Sequence, residues 1–332
     1  MGIQGNGNGA AAIEVRGLVK RFGDHVAVDG IDLDVRAGET FGFLGPNGAG
    51  KSTTINIMCT LLKASEGTAR IAGFDVAAER DAVRQRIGLV FQDPTLDQDL
   101  TAEQNLRFHA ELYGIARSVT PQRIAAVLDL VDLADRARDR VLTFSGGMRR
   151  RLEIARGLLH APAVLFLDEP TVGLDPQTRA SVWEYLGQLR DQTGLTIFLT
   201  THYLDEAENC DRIAIIDHGS IVALDTPSAL KAQVGKDRVQ LHTEDNPAAI
   251  TRLAEQWKLD AAIHDDAVTF SVPCGEEFVP ELFAELGVAI RSVNVSRPSL
   301  DDVFMAHTGR TIRDSETGRN MPPFMMAARR RG

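Results

Sequence analysis

One loop constrains this chain more than anything else in it: Gly45-Pro46-Asn47-Gly48-Ala49-Gly50-Lys51-Ser52-Thr53. It reads G-x-x-x-x-G-K-S. An apolar run, Thr40 to Leu44, precedes it as a candidate buried strand, and Thr53 to Met58 open a helix after it. Each residue type has a physical task at that turn. The glycines let the backbone curl so that several N–H groups converge on a β-phosphate, where a Cβ would obstruct. The helix adds its positive N-terminal end. Lys51 has the reach to bridge β- and γ-phosphate oxygens, and Ser52 offers a hydroxyl to Mg²⁺. The chemistry is therefore expected at this strand-to-helix turn.

A second apolar strand, Ala163 to Leu167, ends in Asp168-Glu169-Pro170. Two adjacent carboxylates at a strand's end, in a chain with a phosphate loop, suggest a metal ligand followed by a base. Asp168 would hold Mg²⁺, directly or through water, and Glu169 would orient and deprotonate an attacking water. His202 ends a third buried strand, Thr196 to Thr201; by itself it reads as structural, with a contact to a γ-phosphate as the alternative. Phe22, in a turn-like setting ahead of the loop, reads by itself as ordinary core, with stacking on a base as the alternative. Ser145-Gly146-Gly147 opens a helix: a simple cap, or a second anion site built from helix N–H groups. Gly173-Leu174-Asp175-Pro176 is a turn able to face a partner.

With 332 residues there is room for one nucleotide-binding domain and something smaller. A formal charge of −10 argues against a nucleic-acid binder that relies on a general basic surface. No stretch reaches the length of a membrane span, and Met1 to Ala12 has neither the basic start nor the apolar segment of a signal peptide. That stretch reads as a flexible leader on a cytoplasmic protein. Cys59, Cys210 and Cys274 are far apart and show no metal-binding or disulfide spacing.

Short alternating strands are expected at 13–16, 26–28 and 31–35, as an antiparallel layer leading into the loop strand. A hairpin or edge strand is expected at 67–73 and another strand at 86–91, ending near Gln92. Residues 93–160 read as a helical insert; Thr101-x-x-Gln104 is a capping box, and Thr120-Pro121 places proline at a first helical position. Strands at 212–217 and 220–223 form a hairpin through His218-Gly219 and bring the nucleotide domain, 13–230, to its end. Residues 235–306 follow a βαββαβ order like a small ferredoxin-type domain, with Ser299-Leu300-Asp301-Asp302 capping a last short helix. The Gly- and Arg-rich tail, 309–332, reads as mobile, and as solvated rather than bound to anionic lipid or RNA.

Taken together, Gly45 to Thr53, Gln92, Ser145-Gly146-Gly147, Asp168-Glu169, Asp175 and His202 stand in the order and setting of ATP-binding cassette ATPases, and the chain resembles that family over residues 13 to about 225. Phe144-Ser145-Gly146-Gly147-Met148, Asp168 to Pro176 and Arg297 to Phe304 resemble the daunorubicin-resistance type of exporter ATPase. The resemblance implies a P-loop NTPase (RecA-like) α/β core with an antiparallel β-layer and a helical insert, plus the small α+β domain. It implies ATP and Mg²⁺ as ligands, and two copies closing head-to-tail as a homodimer. Each ATP would lie between the phosphate loop of one copy and Ser145 and Gly147 of the other. Phe22 would stack on adenine, Gln92 would sense Mg²⁺ and link to a separate membrane permease, His202 would hold the γ-phosphate, and Asp175 would couple the two sites. Such a subunit sits on the cytoplasmic face of the cell membrane and powers efflux of a drug, antibiotic or lipid-like substrate, with no nucleic acid bound. The alternative is a soluble mechanochemical or translation-linked ATPase of the same superfamily, although one phosphate loop and a modest insert fit it poorly.

Overall fold

The computed structural model describes residues 11–93, 95–264 and 267–308. The expected leader, apart from Ala11 and Ala12, and the expected tail lie outside the described residues. The chain divides into two units, the second beginning at Pro227.

The first unit opens on a long hairpin, β1 (Ala11–Phe22) and β2 (His25–Arg36). Short strands are expected here from the sequence, and the structure runs them together. Register shifts between Val15 and Leu18 and again between Leu18 and Lys20 absorb the interruptions as bulges, so Ile13, Val15, Leu18, Ile31, Leu33 and Val35 all stay buried. Next come β3 (Thr40–Leu44), buried at every position, and α1 (Lys51–Met58). β4 (Glu66–Ile71) and β5 (Phe74–Asp75) complete an antiparallel sheet of order β2-β1-β4-β5.

After α2 (Arg80–Arg86), β6 (Ile87–Val90) leads into the helical insert of α3 (Ala102–Leu112), α4 (Thr120–Leu130) and α5 (Gly146–Leu158). The capping box is present: Thr101 Oγ1 accepts the Gln104 N–H (3.2 Å) and Gln104 Oε1 accepts the Thr101 N–H (2.8 Å). At α4 the expectation shifts by one residue. Thr120 is itself helical and its hydroxyl donates back to Ala116 O (3.0 Å), so Pro121 stands second.

β7 (Val164–Asp168), α6 (Pro176–Thr193), β8 (Thr196–Thr201), α7 (Leu204–Ala207), β9 (Arg212–Asp217) and β10 (Ser220–Asp225) finish the unit. The second sheet runs β10-β9-β3-β8-β7-β6, parallel throughout except for the β9–β10 hairpin. Phe41, Phe166 and Phe198 bring rings from three of its strands together, with centroids 5.6 and 5.5 Å from Phe198. Ile55, Ile57 and Met58 of α1 pack into the same core as Ile13 and Val15 of the antiparallel layer. Burial on both faces explains why these strands read as unbroken apolar runs. The register then fixes the site: Leu44 pairs with Thr201 and Asp168 with Thr200, so the ends of β3, β7 and β8 lie level. Parallel sheets present their chemistry at such carboxyl ends.

In the second unit, α8 (Pro227–Val234) is a helix that the sequence pattern divides between the nucleotide domain and a gap. β11 (Asp237–Thr243), α9 (Asn246–Trp257), β12 (Ala262–His264), β13 (Ala267–Val272), α10 (Gly275–Glu285) and β14 (Ile290–Ser296) follow in the expected βαββαβ order. Their sheet is β12-β13-β11-β14, all antiparallel, over a core of Val239, Leu241, Leu253, Phe270 and Leu282. Ser299 and Asp302 exchange cap hydrogen bonds at the start of α11 (Leu300–Thr308), which packs against α8. Among the described residues, no helix is long and apolar enough to cross a membrane.

Candidate active site

The loop between β3 and α1 folds as a cradle. Gly50 caps α1 with φ +109°, and a Cβ there would lie 2.5 Å from Ala27 O, so only glycine closes this turn without displacing backbone. Lys51, buried at the head of α1, curls back: its Nζ donates to Gly45 O (2.8 Å) and Pro46 O (3.2 Å) and stands 3.3 Å from Glu169 Oε1. Ser52 Oγ donates to Asp168 Oδ1 (3.3 Å). An alcohol oxygen beside a carboxylate is a hard-oxygen pair that suits Mg²⁺, which takes few protein ligands and fills its shell with phosphate oxygens and water. Among the described residues, no group of three or more His, Cys, Asp or Glu could hold a metal by itself. The residues thus fit an ion that arrives with a phosphate.

Thr200 organises the carboxylates. Its hydroxyl donates to Asp168 Oδ1 (2.5 Å) and accepts the Glu169 N–H (3.0 Å). Glu169 holds φ +47°, an unusual conformation for a non-glycine residue and one that clusters at functional sites. Its Oε1 also stands 3.3 Å from His202 Nδ1. Burial pushes the Glu169 carboxyl up, but hydrogen bonding and charge from His202 and Lys51 outweigh it and hold the group below the usual carboxylate range. At neutral pH it is therefore ionised, the form a base requires.

These groups face one cleft of about 510 Å³. Phe22, Asn47, Gly48, Gly50, Lys51, Ser52, Thr53, Gln92, Glu169 and His202 all line it, with Gly45 and Pro46 as acceptors for Lys51 and Asp168 reached through Ser52. Phe22 is half exposed, with Lys20 Nζ 4.9 Å from its ring centroid, so it is not core packing. Four contributors escape a reading of the sequence. His25 enters because the hairpin pairs it directly with Phe22, and Val172 follows the carboxylate turn. Thr200 looks like one more residue of an apolar strand. Glu206, pushed up by burial, accepts from the hydroxyls of Thr201 and Thr171 beneath the turns that carry His202 and Glu169.

Ser145, Gly147 and Asp175 are not in this cleft. Ser145 and Gly147 line a separate hollow with Met148, Arg151, Thr178 and Tyr185. Ser145 caps α5 by accepting the Met148 N–H (3.2 Å), while Gly146 lies against Leu174. Asp175 caps α6 by accepting the N–H (3.0 Å) and hydroxyl (2.5 Å) of Thr178, which hold its carboxyl low. A Cβ on Gly147 would come 2.6 Å from Thr178 Cγ2. Gly147→Ala should therefore displace both the helix start and the Asp175 cap; ATPase activity should fall at least about tenfold in a protein that still melts cooperatively, a loss of about 1.4 kcal/mol in transition-state stabilisation. Steady-state ATPase assays with calorimetry check it, and parental activity would contradict it.

Residues 28–172 match the family described as ABC transporter, and residues 226–308 the family described as ATP-binding protein DrrA1-3-like, C-terminal domain. The chain is 44% identical over 317 residues to the daunorubicin/doxorubicin resistance ATP-binding protein DrrA of Streptomyces peucetius, covering 92% of this chain and 95% of that one. It is 38% identical over 311 residues to the linearmycin resistance ATP-binding protein LnrL of Bacillus subtilis, covering 91% and 100%. A solved dimeric ATP-binding cassette in a post-hydrolysis state with ADP and Pi matches with a TM-score of 0.58 at 27% identity, covering 64% of this chain and 98% of that one. These similarities do not favour the soluble alternative. With a nucleotide cleft closed by a phosphate loop, and relatives that match along almost the whole chain, the protein belongs to the ABC transporter ATPases and is an ATP-hydrolysing subunit that powers efflux.

Proposed function

We propose that two copies of this chain close head-to-tail around two Mg²⁺-ATP and drive a separate membrane permease that expels an antibiotic-like compound. One observation carries this reading: the phosphate-loop cleft and the Ser145-Gly147 hollow are separate on a single copy, an arrangement that supports a second copy supplying the other half of each site. The dimeric form of the related solved cassette supports the same arrangement. Within each site Lys51 and the loop N–H groups grip the β- and γ-phosphates, and Phe22 stacks on the adenine. His202 turns from Glu169 to the γ-phosphate, and Glu169 takes the proton of the attacking water. Ser52, Gln92 and Asp168 hold Mg²⁺, which when bound offsets negative charge on the phosphate oxygens. Asp175 couples the two sites.

A groove beside Gln92 supports the permease partner. It is lined by Leu61, Phe91, Leu112 and Tyr113, which are 53%, 37%, 66% and 37% exposed. Grouped apolar exposure of this kind marks an interaction surface. The substrate class follows the relatives, named for daunorubicin, doxorubicin and linearmycin resistance. The test is affinity purification of the Glu169→Gln form from native membranes with ATP, followed by mass spectrometry. A polytopic membrane protein in stoichiometric amount is expected. Ribosomes, nucleic acid or no partner at all would overturn the coupling to transport.

A further inference from the structure

A buried guanidinium is tolerated only where its N–H groups find acceptors. Arg150, on α5 just beyond Ser145, is 7% exposed, and each of its three guanidinium nitrogens has an acceptor. Its Nε donates to Pro170 O (2.5 Å), its Nη1 to Phe91 O (2.7 Å) and Glu153 Oε2 (2.9 Å), and its Nη2 to Asp168 O (3.4 Å). Glu153, 3% exposed, uses Oε1 to accept the Thr95 N–H (2.9 Å). The acceptors are well chosen. Asp168 and Pro170 flank Glu169 on both sides, Phe91 immediately precedes Gln92, and Thr95 lies a short way beyond it. None of these contacts reaches the cleft itself. They hold the peptide planes from which two of its side chains depart, including the one with φ +47°.

We propose that Arg150, held by Glu153, is a positioning residue for ATP hydrolysis: it sets the backbone on both sides of Glu169 and ahead of Gln92, so that the two side chains enter the cleft in register. This rests on the roles given above to Glu169 and Gln92. A misplacement of about 1 Å can cost a reaction about 100-fold, and a guanidinium fork across three carbonyls is a device that lysine cannot copy. The position also ties the base and Gln92 to the helix whose first turn faces the second copy's nucleotide. Any tilt of α5 on closure is thereby passed to both.

Two variants of the full-length chain test it, Arg150→Lys and the double variant Arg150→Met with Glu153→Leu. The lysine keeps the charge beside Glu153 but not the fork. The double variant removes both charges, so neither is left buried without its partner, but the three carbonyls and the Thr95 N–H lose theirs. Expected are a folded Arg150→Lys protein with kcat lowered about tenfold and KM for ATP within about threefold of parental. The double variant should melt lower than the parent and, assayed where it is folded, lose about 100-fold in kcat. A purely structural role would move the melting transition and leave kcat of the folded protein unchanged; parental kcat in Arg150→Lys overturns the proposal, even should the double variant fail to fold. Glu169→Gln assayed alongside separates the two failures. If it is inactive while the Arg150 variants are normal, the positioning role alone is wrong; if it is active, the assignment of the base falls and this proposal with it.

Discussion

Glu169→Gln should leave ATP affinity within about threefold of parental while turnover falls by about 10²–10⁴-fold, the usual contribution of a positioned general base. The amide is nearly isosteric with the carboxylate, and its Oε1 can stay at the same 3.3 Å from Lys51 Nζ and His202 Nδ1. The Thr200 hydroxyl contacts the residue-169 main chain, so the φ +47° conformation survives as well. What disappears is the group's capacity to take a proton. In the parent that capacity is secured because His202 and Lys51 keep the carboxyl ionised against the penalty of burial. ATP should then accumulate uncleaved between two copies, and the variant should elute at twice its monomer mass with ATP and Mg²⁺ but not with ADP. Single-turnover hydrolysis with size-exclusion chromatography measures both. Parental turnover would remove Glu169 from the role of base.

The inventory of this site stood largely in the sequence, because its parts sit at strand ends and helix starts, where local pattern and chemistry coincide. The phosphate loop, the Asp168-Glu169 pair and the Ser145 cap each lie at a junction between an apolar run and a polar turn. The βαββαβ order of the second unit was legible for the same reason, since its periodicity changes at every element. What the sequence could not disclose depends on register. Thr200 matters because β7 and β8 pair Asp168 with Thr200, a fact of parallel alignment absent from either segment alone. His25 enters the cleft only through its pairing with Phe22 across a two-residue turn. Arg150 stands among three consecutive arginines, Arg149-Arg150-Arg151, and nothing local to the sequence singles out the middle one. Helical rotation turns the middle one inward, while Arg151 reaches Val131 O (3.1 Å) and Asp132 Oδ2 (3.3 Å) at the surface. At Pro227 proline opens α8, a helix whose first half the expected boundary at 230 leaves in the nucleotide domain.

Lys51→Ala should abolish useful ATP binding, with Kd raised about 100-fold or more. The ammonium would supply charge-assisted hydrogen bonds to two phosphate oxygens, each of about 1.5–3 kcal/mol, and about 2.7 kcal/mol already corresponds to 100-fold. The loop itself should persist, since its curl rests on Gly50 and on backbone bonds such as Ala49 N to Pro46 O (3.2 Å) and Gly219 N to Ala49 O (2.9 Å). The variant does lose a tether within the cleft, because Lys51 joins Gly45 O and Pro46 O to Glu169. Glu169 then keeps only His202 of the two neighbours that lower it, and its carboxyl should titrate at higher pH than in the parent. Thermal unfolding separates binding from folding. Ligand that binds only the native state adds about 2.7 kcal/mol of stability at 100 times Kd. The parent should therefore melt several degrees higher in millimolar ATP and Mg²⁺, whereas Lys51→Ala should melt at one temperature with or without nucleotide. An equal ATP-dependent rise in both proteins would contradict the placement of the phosphates against Lys51, and with it the orientation of nucleotide on which the Glu169 assignment depends.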